Sequence, residues 1–162
     1  MKENKNLKLI SQIGLVVEDL TMAEEGMRQV FGVEPDGHGI TPSNNKFYYE
    51  KEEDFAAKMA FYHFANIDIE LIEPQYGRNI WDDFLKQGKR GLHHVQFNVD
   101  SFDETVSDMK ERNIEVSMQG ESVRKIPGLK WAYFDTESSL GWVVEIFNAS
   151  QILGNKGKDE KE

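Results

Sequence analysis

Two stretches of the chain alternate apolar and polar positions as a half-buried strand does, then switch to helical spacing. The first, residues 8–17 (KLISQIGLVV), puts Ile13, Leu15 and Val17 on one face and Gln12, Gly14 and Val16 on the other. It runs into EDLTMAEEGMRQVFG, where Leu20, Ala23, Met27, Val30 and Phe31 recur at helical spacing. There, Thr21 with Glu24 predicts a capping box, and Gly32 predicts the helix stop. The second, residues 93–99 (HHVQFNV), puts His94, Gln96 and Asn98 on one face and Val95, Phe97 and Val99 on the other. It also feeds a helix, with Ser101 and Glu104 as the predicted capping box and Phe102, Val106 and Met109 as the buried stripe, ending near Asn113.

Residues 34–56 are polar and contain Gly, Pro and Asn, which predicts a long loop with some strand in it. AKMAFYHF (57–64) and NIDIELIE (66–73) predict paired strands turning at Ala65-Asn66, with Pro74 ending the unit. A short helix is predicted at 79–88 and closing strands at 129–136 and 141–148. The polar tail 149–162 is expected to be mobile.

The two stretches form an internal repeat. Setting SQIGLVVEDL (11–20) over HHVQFNVDSF (93–102) places Gln12 on His94, Leu15 on Phe97, Glu18 on Asp100 and Leu20 on Phe102. Setting IDIELIEP (67–74) over VVEIFN (143–148) places Glu70 on Glu145. The chain therefore reads as two copies of a strand–helix–strands unit, 8–74 and 91–148, within a single domain over 1–162.

Glu70 lies between Ile69 and Leu71, and Glu145 between Val144 and Ile146. A carboxylate in such a run is costly to bury unless it is paired or metal-bound, and two at equivalent repeat positions call for a common cause. A pseudo-two-fold would bring Gln12, Glu70, His94 and Glu145 around one point. Two neutral donors and two carboxylates neutralise a divalent ion, and nitrogen and oxygen donors suit Zn, Ni, Co, Mn or Fe. Such an ion stabilises an enolate, and a carboxylate beside it can move the proton. His93 is expected to face a helix or subunit layer, His63 to line the cavity, and His38 to lie in a loop.

Composition narrows the choice. The 162 residues hold no cysteine, which excludes disulfides and thiolate metal sites. The net charge of −10 disfavours nucleic acid and anionic membrane as partners. No apolar run approaches the ~18 residues of a membrane span. The polar start MKENKNLKLISQ predicts a cytoplasmic protein.

With these residues in place the chain resembles the vicinal oxygen chelate superfamily, which includes glyoxalase I, methylmalonyl-CoA epimerase, extradiol dioxygenases and the fosfomycin and bleomycin resistance proteins. QIGLVVEDL, IELIEP, FLKQGKRGLHHVQFNVD and GWVVEIF carry the likeness, most of all to the epimerases, from about Leu9 to Phe147. The resemblance implies an α+β, glyoxalase-like fold of two βαβββ modules forming a cupped mixed β-sheet, and a homodimer. It implies one divalent metal ion on Gln12, Glu70, His94 and Glu145, with Glu145 also the catalytic acid/base. The implied reaction is epimerisation of a 2-substituted acyl-CoA, with Lys86, Lys89, Arg90, Arg124, Lys125 and Lys130 as a basic set for the CoA phosphates and Glu50, Glu53 or Asp54 as further acid/base candidates. Gln12 stands where the epimerases usually have His and matches the ligand type of eukaryotic glyoxalase I, so isomerisation of a thiol hemithioacetal is the alternative. Ligand sequestration without turnover, as in bleomycin resistance, is the third reading.

Overall fold

The structure is a computed structural model describing residues 3–41, 45–122 and 127–151. Its strands are β1 (Leu9–Val16), β2 (Gly37–Ile40), β3 (Phe47–Tyr48), β4 (Lys51–Glu52), β5 (Ala56–His63), β6 (Asp68–Tyr76), β7 (Gly91–Asn98), β8 (Val116–Ser122), β9 (Leu129–Phe134) and β10 (Val143–Phe147). Its helices are α1 (Leu20–Phe31), α2 (Ile80–Lys86), α3 (Phe102–Glu111) and α4 (Glu137–Leu140). All ten strands form one mixed sheet in the order β2-β5-β6-β1-β7-β10-β9-β8-β3-β4. The fold is the expected α+β one, a curled half-barrel.

The sheet is organised about the antiparallel pair β1/β7. Gln12 faces Gln96 and Gly14 faces His94 across it. β6 runs parallel to β1 with Gly14 opposite Glu70, and β10 runs parallel to β7 with Gln96 opposite Glu145. These registers are what the repeat demands, because the alignment that sends Gln12 to His94 also sends Gly14 to Gln96 and Glu70 to Glu145.

Helices α1 and α3 cover the outer face. Leu20 and Met27 of α1 pack with Ala60, Tyr62 and Leu71; Phe102 and Met109 of α3 pack with Ala132, Phe134, Val144 and Ile146. The inner face carries a third cluster that includes Val16, Phe55, Ile72, Trp81, Phe84, Met118 and Tyr133.

The hairpin β3–β4 comes from the first half of the sequence but pairs with β8, the edge of the second half. Both residues of its turn, Tyr49 and Glu50, have positive φ (45° and 64°), the requirement of a tight type I′ hairpin. The chain then reaches β5, near the opposite edge of the sheet, between Glu52 and Ala56. Four residue steps span at most about 14 Å, so the two ends of the sheet curl close together. The strap 53–55 bridges them and drops Phe55 into the inner cluster.

Local expectations needed correction. The α1 N-cap is Asp19, whose carboxylate accepts from Met22 N at 2.9 Å, not Thr21 with Glu24. Val30 and Phe31 of the predicted stripe are exposed. Pro74 does not end its unit, because β6 continues to Tyr76 past a bulge at Gln75. Ser101 caps α3 by position without a side-chain bond; Gln151 Oε1 instead accepts from Phe102 N at 3.2 Å. The first residues of the expected tail are thus docked, and Ser150 N also donates to Asn98 Oδ1. The rest, 152–162, lies outside the described residues.

Candidate functional site

Strand alternation carries Gln12, Gly14, Glu70, Glu145, His94 and Gln96 to the inner face at the centre of the sheet. Glu70 and Glu145 are the buried carboxylates among the described residues, and His94 has no exposed surface. His94 Nε2 lies 3.2 Å from Glu145 Oε2 and 3.5 Å from Glu70 Oε2. The imidazole fits there because position 14 has no side chain. A Cβ on Gly14 would stand 1.8 Å from His94 Cε1 and 2.0 Å from its Nε2.

Gln12 joins through Gln96, whose Nε2 donates to Gln12 Oε1 at 3.1 Å and to Glu145 Oε2 at 3.0 Å. The sequence places Gln96 on the right face but gives no sign that it touches the site. Its register opposite Gln12 and beside Glu145 exists only once three strands are paired.

His93 departs from expectation. Alternation predicts it on the face opposite His94, toward a helix or subunit layer, but the β1/β7 register jumps between Gly14–His94 and Leu15–Leu92, leaving His93 as the extra residue of a bulge. The bulge turns both histidines inward. The His93 ring packs on Phe84 and Tyr133, and its Nδ1 sits 3.0 Å from His94 Nδ1. A matching bulge falls at Ser11, the repeat equivalent of His93.

One of the two Nδ1 atoms must carry the shared proton. When His94 donates it, the His94 Nε2 lone pair faces the two carboxyl groups. That atom is buried without a hydrogen-bond partner. A lone pair facing carboxylates in a dry site is the donor set of a cation, and ligands about 2.1 Å from one ion stand roughly 3.0–3.4 Å apart at octahedral or tetrahedral angles. Among the described residues no three His, Asp or Glu side chains are arranged so as to hold a metal ion among themselves. His94 touches both carboxyl groups instead of facing them across a gap; its 3.2 Å spacing to Glu145 falls within that range and its 3.5 Å spacing to Glu70 just outside it.

Burial sets the electrostatics. It pushes the Glu70 carboxyl up to about 8, and raises Glu145 well above the usual carboxylate range with Glu70 adding to the rise. It pushes His94 down to about 3. Tyr133, whose ring lies 5.0 Å edge-on to His94, has its phenol raised by burial, then by Glu145 and Glu70, so it stays a proton donor beside them.

Aromatic side chains roof the site. Trp81 packs on Tyr133 and on Phe55, and Trp131 on Phe55 and Tyr133. The strap is tied down by Tyr48 Oη donating to Asp83 Oδ2 at 2.7 Å and by buried Lys46 donating to the Phe55 carbonyl.

Other expected residues lie elsewhere. His63 does not line the site; it is exposed and paired with Asp68. His38 belongs to β2, not a loop, and pairs with Glu24. Glu50 and Asp54 are exposed and Glu53 half-buried, whereas Glu145 is buried. The basic set is not a free cluster: Lys86, Lys89, Arg90 and Lys130 are each paired with a carboxylate, Asp82, Glu137, Glu18 and Asp103 respectively. Arg124 and Lys125 lie outside the described residues.

Residues 11–133 match the glyoxalase/bleomycin resistance protein/dioxygenase superfamily, and the chain belongs to that superfamily. A mitochondrial methylmalonyl-CoA epimerase of Bos taurus is 27% identical over 112 residues, which is 68% of this chain and 58% of that protein. The chain therefore spans little more than half of that relative's length. Among solved structures, the Streptomyces coelicolor methylmalonyl-CoA epimerase in complex with 2-nitronate-propionyl-CoA superposes with a TM-score of 0.65 at 18% identity, covering 90% of this chain and 97% of the other. A Mycobacterium tuberculosis methylmalonyl-CoA epimerase gives 0.64 at 13% identity, covering 96% and 97%. At these identities the likeness shows the fold. Among the described residues no helix is long and apolar enough to cross a membrane.

Proposed function

We propose that the chain is a metal-dependent epimerase of methylmalonyl-CoA or a related 2-substituted acyl-CoA. The observation that carries the reading is His94 Nε2, buried without a hydrogen-bond partner between two buried carboxylates. Gln12, Glu70, His94 and Glu145 would hold one divalent ion (Co, Zn, Ni or Mn), which when bound polarises the thioester oxygen and acidifies the α-carbon. Glu145 takes the α-proton, and its raised pKa makes it the stronger base for a carbon acid. Return of the proton to the other face falls to Glu70, its equivalent across the two-fold and the other carboxylate buried in the site. Phe55, Trp81, Trp131 and Tyr133 exclude water.

The test is deuterium uptake at the α-carbon of methylmalonyl-CoA in heavy water, with and without added cobalt. Metal-dependent exchange is expected. No exchange in cobalt-loaded protein overturns the acyl-CoA assignment and leaves glyoxalase I-type isomerisation of a hemithioacetal, which the amide donor Gln12 favours; lactoylglutathione formation reads that out. The same reading includes a homodimer, which sedimentation equilibrium tests.

A further inference from the structure

Gln96 differs from the four proposed ligands in having all its polar atoms engaged inside the protein. Its Nε2 bridges Gln12 Oε1 at 3.1 Å and Glu145 Oε2 at 3.0 Å, and its Oε1 accepts from Ser11 Oγ at 2.9 Å. The orientation of the amide follows from its neighbours. With its NH2 toward Gln12 and Glu145 the amide donates to both, whereas the reverse flip would set its oxygen against the Gln12 amide oxygen. Ser11 reaches Gln96 because it is the extra residue of the β1 bulge, which re-aims its hydroxyl.

The bridge also breaks the two-fold. The repeat equivalent of Gln96 is Gly14, which must stay bare to admit the His94 ring. Only the Glu145 side of the site therefore carries an amide clamp. We propose that Gln96 is a positioning residue: it fixes the Gln12 oxygen and the Glu145 carboxylate relative to one another, and the Ser11 bulge fixes Gln96. The proposal rests on the metal-site reading above for its consequence, but not for its geometry.

Two variants and two readouts test it. Gln96→Leu keeps the bulk and removes every hydrogen bond; Ser11→Ala keeps the amide and removes its anchor. With cobalt added to the purified protein, Gln96→Leu is expected to weaken binding by about 10- to 100-fold and to shift the visible cobalt bands, with Ser11→Ala falling between it and the parent. In metal-free protein, side-chain amide NMR is expected to show the Gln12 NH2 restrained in the parent and averaged in Gln96→Leu, with the fold checked by backbone dispersion. Unchanged cobalt affinity and bands, or an unchanged Gln12 amide signal, in folded Gln96→Leu overturns the proposal. A parent protein that binds no cobalt overturns the metal reading instead, and the metal-free amide spectra then decide Gln96.

Discussion

Gly14→Ala adds one methyl group, and the structure fixes where it goes. The new carbon would stand 1.8 Å from His94 Cε1, 2.0 Å from Nε2 and 2.5 Å from Nδ1, where ordinary contact begins at 3.4 Å. The ring must therefore recede by about 1.6 Å or the strands must part. His94 Nε2 lies only 3.2 Å from Glu145 and 3.5 Å from Glu70, so a shift of that size disrupts both contacts. The ring also has little room to retreat, being packed edge-on against Tyr133 and His93. Overpacking of this kind costs about 1–3 kcal/mol or more, against about 0.4–1 kcal/mol gained by removing a glycine from the unfolded chain. Urea denaturation should show the net loss, and cobalt titration a loss of affinity. Gly26→Ala is the control: it sits in α1 with no atom within 4 Å of the added carbon, and should stabilise the protein by roughly 0.5–1 kcal/mol. A Gly14→Ala protein as stable as its parent, with unaltered cobalt binding, would refute the close approach of His94 to β1.

Three further outcomes are expected. In metal-free protein the Glu70 carboxyl, pushed up to about 8, holds a proton that the unfolded chain has released, so its contribution to stability is full below about pH 4.5 and falls as the pH rises toward about 8, by up to about 1.4 kcal/mol per unit; Glu145, raised in the same direction by burial and by Glu70, adds to the fall. His94, pushed down to about 3, gives the opposite slope, stability rising from pH 3 toward 6.5; urea midpoints that climb steadily from pH 5 to 8 would contradict the burial of the two carboxyls. Phe55→Ala empties the strap's anchor between Trp81 and Trp131 and should cost about 3–5 kcal/mol, measured by thermal or urea unfolding, and a loss under 1 kcal/mol would mean the strap is not seated there. Glu145→Gln keeps the shape of the side chain and removes the base, so α-deuterium exchange should vanish while the fold is retained; surviving exchange removes Glu145 from the proposed mechanism.

The sequence by itself determined the paired strand–helix units and the four residues Gln12, Glu70, His94 and Glu145 that the sheet gathers. Those signals are local and periodic: alternation fixes a side chain's face, and an isolated carboxylate between branched apolar neighbours marks a buried site. The registers Gly14–Glu70 and Gln96–Glu145 then follow from the same repeat. Only the tertiary structure decided the bulges at Ser11 and His93, because an extra residue in a strand is defined by its partner's register and not by its own pattern. The Gln96 bridge likewise needs three strands side by side. The roof depended most on the whole fold. Nothing near Phe55 in the sequence announces Trp81, Trp131 or Tyr133, and they meet only because the sheet curls until a short strap can join its two ends.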